Sequence, residues 1–484
     1  MIVAVLLVAE FGVLLGGLAV YRKGERSIGA FLAGPAGWAC AGAFLIVATM
    51  CVVIAYHVRT HSAPRARWFS VAVLSSFCSV GMAVAGGEVV ARLAASNDAD
   101  GPVLASTRLL PRSWESVAAR NLAVLARASG EGSYLVSDAE LGWTVGPSRR
   151  SRDYNRQLVE QYLARVGKEG RAGYPGGVAR SGASSGEGIY LSSAEGIRSP
   201  QAGMSFETMP VRRRIALVGD SFTFGLEVVY EETWGHQLEM ALGPDFQILN
   251  FGVDGYGVDQ AYMRYQRDVV PWLPEVVILG VISHDLRRTM CIYGFLCFPG
   301  FEMPFAKPRF VLKGHELALL NVPLPRAASL FGKRSIAELP FIEDDISFRK
   351  EEWDGHAYDR SYVVRFLRSR FSPWMTTRPT VTEEALRAVN GEIFRTFFRM
   401  VRANGSTPLV VVFPSRADFI SEGGRRAGVA REVLEASGIP YRDMTECVRE
   451  VSPGERFEAL HYSARTNLAV ARCLEDSVRA ALRK

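Results

Sequence analysis

The run Arg214-Ile215-Ala216-Leu217-Val218-Gly219-Asp220-Ser221-Phe222-Thr223-Phe224-Gly225 decides how the chain is read. A short apolar stretch stops at a glycine, and a helical pattern follows. A serine on such a strand-to-helix turn presents its hydroxyl at the top of a sheet, close to helix N–H groups. That is a useful place for an acyl-transfer nucleophile. The turn does not read Gly-x-Ser-x-Gly, so it is not the α/β-hydrolase elbow.

Working outward, the texture is α/β from about residue 211 to 484. Strands are expected at Ile215–Val218, Gln247–Phe251, Val276–Val281, Leu409–Phe413 and, more weakly, Pro440–Met444. Helical patterns fall between and after them, at Glu232–Leu242, Val258–Leu273, Glu383–Ala403, Arg425–Ala436 and Ala464–Leu482. Such alternation predicts a parallel sheet covered on both faces, with ligands bound at the carboxyl ends of the strands. Ser221, Asn250–Gly257, Ser283–Asp285 and His461 would all lie at that edge. A long insertion, about residues 286–382, interrupts the pattern and contains the aromatic, basic run Tyr362–Trp374. That run reads either as a packed helix with arginines on its wet face or as a segment lying on a membrane surface.

The 484 residues allow more than one domain. Residues 1–95 hold three apolar stretches, Met1–Val20, Trp38–Tyr56 and Trp68–Leu93. Each is about 20 residues or more, enough for a transmembrane helix. No basic segment precedes the first, which argues against a cleaved signal peptide. The two polar joints each carry three Lys/Arg, at Arg22, Lys23 and Arg26 and at Arg59, Arg65 and Arg67, so charge leaves the orientation open. Residues 96–210 read as a linker and small accessory region, with Gly167–Gly188 as a flexible loop. The net charge of +6 is modest, and no nucleic-acid motif is present. Cys291 and Cys297 are close enough to close a small disulfide loop, which would suit an oxidising compartment; four buried thiols, with Cys447 and Cys473, is the other reading. The cysteines have no metal-ligand spacing, and no cofactor is expected.

A serine hydroxyl needs a base within hydrogen-bond reach. Of seven histidines, His461 is left by elimination. His57 and His61 flank an apolar stretch, His236 lies mid-helix, His315 and His356 sit in the insertion, and His284 belongs to another strand end. A carboxylate near His461 would hold its tautomer. Glu458 is the candidate and Glu455 the fallback.

The blocks that carry this chemistry resemble the SGNH (GDSL-like) hydrolase superfamily. Gly219-Asp220-Ser221 matches the block holding the nucleophile. Asn250-Phe251-Gly252-Val253-Asp254-Gly255 matches the second, in which Gly255 would lend its N–H to an oxyanion hole with that of Ser221. Gly280-Val281-Ile282-Ser283-His284-Asp285 lies where the family has Gly-x-Asn-Asp, so His284 replaces an asparagine donor. Glu458-Ala459-Leu460-His461 stands for Asp-x-x-His, with Glu458 in the acid's place. The resemblance implies a flavodoxin-like three-layer domain and metal-free acyl transfer. Glu140-Leu141-Gly142-Trp143, Ser193-Ala194-Glu195-Gly196-Ile197-Arg198, Lys307-Pro-Arg-Phe-Val-Leu…Asn321-Val-Pro-Leu-Pro325 and Glu88…Arg92 look like bacterial envelope members. That likeness implies a multi-pass anchor in the inner membrane with the catalytic domain outside the cytoplasm. The expected activity is a serine esterase acting on acyl, above all acetyl, esters of envelope glycans. With a sugar hydroxyl in place of water as acceptor, the same site is an O-acyltransferase working with membrane partners; an inert binding or assembly domain is the alternative raised by His284 and Glu458.

Overall fold

The computed structural model describes residues 56, 59–60, 81, 84–98, 101–128, 133–151, 190–210, 212–298, 303–370, 381–420 and 428–483. Its centre is a five-stranded sheet of β1 (Arg213–Val218), β2 (Phe246–Asn250), β3 (Val276–Val281), β4 (Thr407–Val412) and β5 (Tyr441–Asp443). All pairings are parallel, and the spatial order is β5-β4-β3-β1-β2. The strands are apolar because side chains alternate between two covered faces. Ile215, Leu217, Ile248, Val276 and Ile278 pack with α2 (Trp234–Leu242) and α7 (Ala464–Ala481). Ala216, Val218, Leu249, Val277 and Leu279 turn the other way, onto α3 (Val258–Arg264), α5 (Glu383–Ala403) and α6 (Val429–Ala436). This order reverses direction between β1 and β3, and the carboxyl ends beside such a switch point are where folds of this kind bind ligands. The chain thus has an α/β fold with a parallel sheet, and the blocks quoted from the sequence follow β1, β2 and β3 or, for His461, precede α7.

The expected strands and helices are present with small changes at their ends, except that residues 425–427 of the expected Arg425–Ala436 lie outside the described residues. One differs in kind. The pattern Val258–Leu273 is α-helical only to Arg264, then widens into a π turn over Tyr265–Val269 and tightens into a 3₁₀ turn over Val270–Trp272. Pro271 has no N–H and cannot extend an α-helical ladder.

The chain divides into two compact units, Ala118–Phe348 with Pro379–Lys484, and Met1–Val117 with Arg349–Arg378. The sheet unit therefore takes in much of the accessory region. There the hairpin Leu135–Asp138/Gly142–Val145 buries Trp143, whose indole N–H donates to Asp254 O at 2.9 Å. Tyr256 returns a hydroxyl bond of 2.7 Å to Trp143 O. The Lys307 block is also structural: Lys307 forms a buried ion pair with Asp259 of α3. Cys291 is bonded to Cys297, and Cys447 to Cys473.

In the other unit, residues 362–370 of the basic run form a helix, and residues 371–374 lie outside the described residues. Glu88 caps it, accepting from the N–H groups of Tyr362 and Val363 at 2.9 and 3.1 Å and from the Ser361 hydroxyl at 2.7 Å, and pairs with Arg92 at 2.5 Å. Arg365 donates to the carbonyls of Leu109, Leu110 and Pro111, and Arg368 pairs with Asp359. These cations bond within their own unit. Among the described residues no helix is long and apolar enough to cross a membrane. The stretches Met1–Val20 and, but for Tyr56, Trp38–Tyr56 lie outside the described residues, as does Gly167–Gly188; of Trp68–Leu93, residues 81 and 84–93 are described and helical.

Candidate active site

The first strand ends at Gly219, whose φ of 153° is open to glycine. A Cβ there would lie 2.5 Å from Gly280 O of β3 and 2.2 Å from Thr223 Oγ1. Asp220 caps the single turn α1 (Ser221–Phe224), its carboxylate accepting from Phe222 N–H at 2.9 Å. Ser221 is thereby fixed at the carboxyl edge of the sheet, only 1% exposed.

His461 arrives from the far end of the chain, just before α7. Its Nε2 lies 2.8 Å from Ser221 Oγ, and its Nδ1 lies 2.9 Å from Glu227 Oε1. An ionised carboxylate only accepts, so Nδ1 carries the proton and Nε2 offers a lone pair to the serine hydroxyl. Glu227 also accepts from the N–H groups of Ala459, Leu460 and His461 at 2.7, 3.0 and 3.2 Å. Burial pushes its carboxyl up, but His461 and these N–H groups outweigh burial and hold it below the usual value. For His461 burial pulls the imidazolium down, while Glu227, with Asp254 and Asp220 behind it, carries the balance upward.

Glu458 does not hold the place expected of it. Its tie to His461 is through the main chain, its N–H donating to His461 O at 2.9 Å. The carboxylate on Nδ1 is Glu227. Burial raises the Glu458 carboxyl, and the charges of Glu227 and Glu232 add to this. The fallback, Glu455, is ion-paired with Arg465 at 2.7 Å. Glu227 escapes a search confined to the neighbours of His461. Its one sequence signal is that it is the first carboxylate after Ser221, six residues on, beyond the left-handed Gly225.

The other two strand ends meet the serine turn closely. Asn250, at the end of β2, donates to Thr223 O at 2.9 Å and accepts from Gly252 N–H at 3.0 Å; Val253 N–H donates to Gly219 O at 3.1 Å. Gly255 follows in this loop at φ 78°, buried, with a built Cβ only 2.8 Å from Met303 Cε. His284 is the second residue of α4 (Ser283–Arg288) and is solvent-exposed, in contrast to Ser221 and His461. A single Arg288 nitrogen donates to Asp220 at 3.1 Å, to Asp285 at 2.7 Å and to Tyr256 O at 3.4 Å. One guanidinium thus joins the loops that follow β1, β2 and β3. Burial lifts the Asp285 carboxyl, and Asp220, a like charge across Arg288, lifts it further.

A Ser–His–carboxylate chain on the carboxyl edge of a parallel sheet is a serine-hydrolase type of site. No family model matches this chain, and no curated protein matches it. Solved structures do. A lipolytic protein of the G-D-S-L family from Desulfitobacterium hafniense is 12% identical over 56% of this chain and 99% of its own, with a TM-score of 0.27. A carbohydrate acetylesterase from Sinorhizobium meliloti is 13% identical over 56% and 99%, with a TM-score of 0.28. The esterase EstA from Pseudoalteromonas is 10% identical over 56% and 100%, with a TM-score of 0.29. At these identities and TM-scores the likeness is similarity only, and the chemistry below rests on the geometry of the site itself.

Proposed function

We propose that this protein is a metal-free serine esterase of the SGNH type, working through an acyl-enzyme. The observation that carries this reading is the unbroken chain Ser221 Oγ–His461 Nε2, His461 Nδ1–Glu227 Oε1, at 2.8 and 2.9 Å. His461 takes the Ser221 proton as the hydroxyl attacks the ester carbonyl, then passes it to the leaving alcohol. Glu227 fixes the tautomer and stabilises the imidazolium that forms. The N–H groups of Ser221 and Gly255 receive the oxyanion, with the His284 imidazole as the third donor. Acyl esters of envelope glycans, acetyl esters first, are the substrate class, with three apolar stretches in residues 1–95 as a membrane anchor and the sheet unit outside the cytoplasm. Two disulfides in that unit favour an oxidising compartment.

A fluorophosphonate probe tests the chemistry. Labelling of the full chain that disappears in Ser221→Ala supports it, and an unlabelled wild type removes it. Adding a glycan acceptor to the same preparation distinguishes discharge by water from transfer to a sugar hydroxyl. Cysteine-accessibility labelling in intact cells tests the orientation; protection of an engineered cysteine near Gly176 counts against an outward-facing domain.

A further inference from the structure

The carboxylate on His461 sits in an awkward backbone. Glu227 has a φ of 72°, the left-handed region, which non-glycine residues adopt at a cost. A conformation of this kind persists only where its surroundings hold it. Here the backbone is gripped on both sides of the residue. The Glu227 N–H donates to the Tyr190 hydroxyl at 3.0 Å. One residue on, Val228 O accepts from Arg198 Nη2 at 2.7 Å.

Both gripping residues come from the accessory segment, upstream of the sheet. Arg198 is fully buried, and its guanidinium lies over the rings of Tyr190 and of Phe224 in the serine turn, 4.9 and 4.6 Å from their centroids. Its backbone N–H donates to Asn250 O at 3.2 Å, which anchors it to the end of β2. Tyr190 packs against Tyr134 and Phe224 at centroid distances of 6.0 Å each. Tyr190 and Arg198 are therefore set by the sheet and by the serine turn, and they set the Glu227 backbone in turn.

We propose that Tyr190 and Arg198 are positioning residues for the triad carboxylate: they hold Glu227 in its left-handed backbone, and so on His461, without touching substrate. This rests on the esterase reading above. Without the Tyr190 hydroxyl the Glu227 N–H loses its buried acceptor, and the loop has less reason to keep this geometry. The groups acting on His461 are Glu227, Asp254 and Asp220; Tyr190 and Glu458 feel the charge of Glu227, and Arg198 faces Tyr190. Of the three groups acting on His461, Glu227 is the one carried by the gripped backbone. Losing its contact lowers the His461 value, so the base stays neutral to lower pH.

The test is Tyr190→Phe in the full chain, which removes one oxygen and keeps the ring. The expected result is a fall in kcat of about tenfold or more, the low end of what misplacing a catalytic group costs, with KM little changed. The acidic limb of kcat/KM should move to lower pH, with the same shift in the His461 titration followed by NMR. Tyr293→Phe is the control, since that hydroxyl donates to Pro340 O and not to the Glu227 loop; its limb should stay in place. Arg198→Lys provides a second variant if Tyr190→Phe folds poorly, with a shift in the same direction. An unmoved limb and titration in the folded variants overturn the proposal even where the wild type is active. An inactive wild type instead overturns the esterase reading, while the NMR titration still judges the positioning role.

Discussion

Glu227 and His461 stand 234 positions apart in sequence and 2.9 Å apart in space. The carboxylate that orients the imidazole belongs to the loop behind the nucleophile and not to the segment that delivers the base. It accepts three main-chain N–H groups as well, so it shapes the turn that presents His461.

Exchanging the two glutamates separates their roles. Glu227→Gln keeps the shape but offers the wrong partner to Nδ1, and kcat on a short-chain ester such as p-nitrophenyl acetate should fall by about 10⁴-fold. Glu458→Gln should stay within a few-fold of the wild type. The reverse ranking would return the acid's role to Glu458.

For His284, the measurement is turnover at fixed pH in two variants. His284→Ala should lose about 10²-fold if its imidazole donates to the oxyanion. His284→Asn should retain or raise activity and remove any pH dependence owed to the imidazole. A silent His284→Ala would confine the oxyanion hole to the N–H groups of Ser221 and Gly255.

The pH profile follows from the raised value of His461. The base works only when neutral, so the acidic limb of kcat/KM should lie above the ordinary 6.5, and Asp254→Asn should lower it. Stability follows the same linkage. The charge on His461 contributes fully below 6.5 and is lost as pH rises through the raised folded value. Glu227, held down, contributes above its ordinary 4.5 and is lost as pH falls through the folded value. Tm measured against pH for the wild type and His461→Asn should therefore converge on the alkaline side. Parallel curves would show that His461 is not charged more readily in the folded chain.

Lys307 and Asp259 are both buried, so removing one leaves the other uncompensated. Lys307→Met should cost about 3–5 kcal/mol in denaturant unfolding. The double variant with Asp259→Leu should regain most of that. Equal losses in the single and double variants would mean that the pair's charge is not what matters.

Much of the fold was legible because each buried strand is a short apolar run and each helix carries its own period; Val276–Val281 and Glu383–Ala403 appear with the bounds expected from sequence. Ser221 and His461 were legible for a chemical reason, since a nucleophile needs a base and few histidines were eligible. Glu227 was not, because its link to His461 is formed by folding across 234 positions, and its six-residue distance from Ser221 says nothing of that partner. The accessory region was half legible: Arg198 closes the block Ser193–Arg198 quoted from the sequence, but its hydrogen bond to Val228 O and that of Glu227 N–H to Tyr190 join distant segments and leave no local pattern. The partners of the arginines in the helix Tyr362–Arg370, the carbonyls of Leu109–Pro111 and Asp359, lie too far off in sequence or on another turn to be read from its period.

Ser221 and Glu227 lie on one stretch of seven residues, and only His461 comes from afar. Nucleophile and carboxylate are therefore neighbours from the moment that stretch is made, and a single long-range closure completes the relay. That closure is the docking of the segment leading into α7 against the edge of β1. Any folding intermediate in which the C-terminal helix is still undocked holds a serine with no base beside it, and is chemically silent. In a chain that folds from its N-terminal end, reactivity would be the last property acquired.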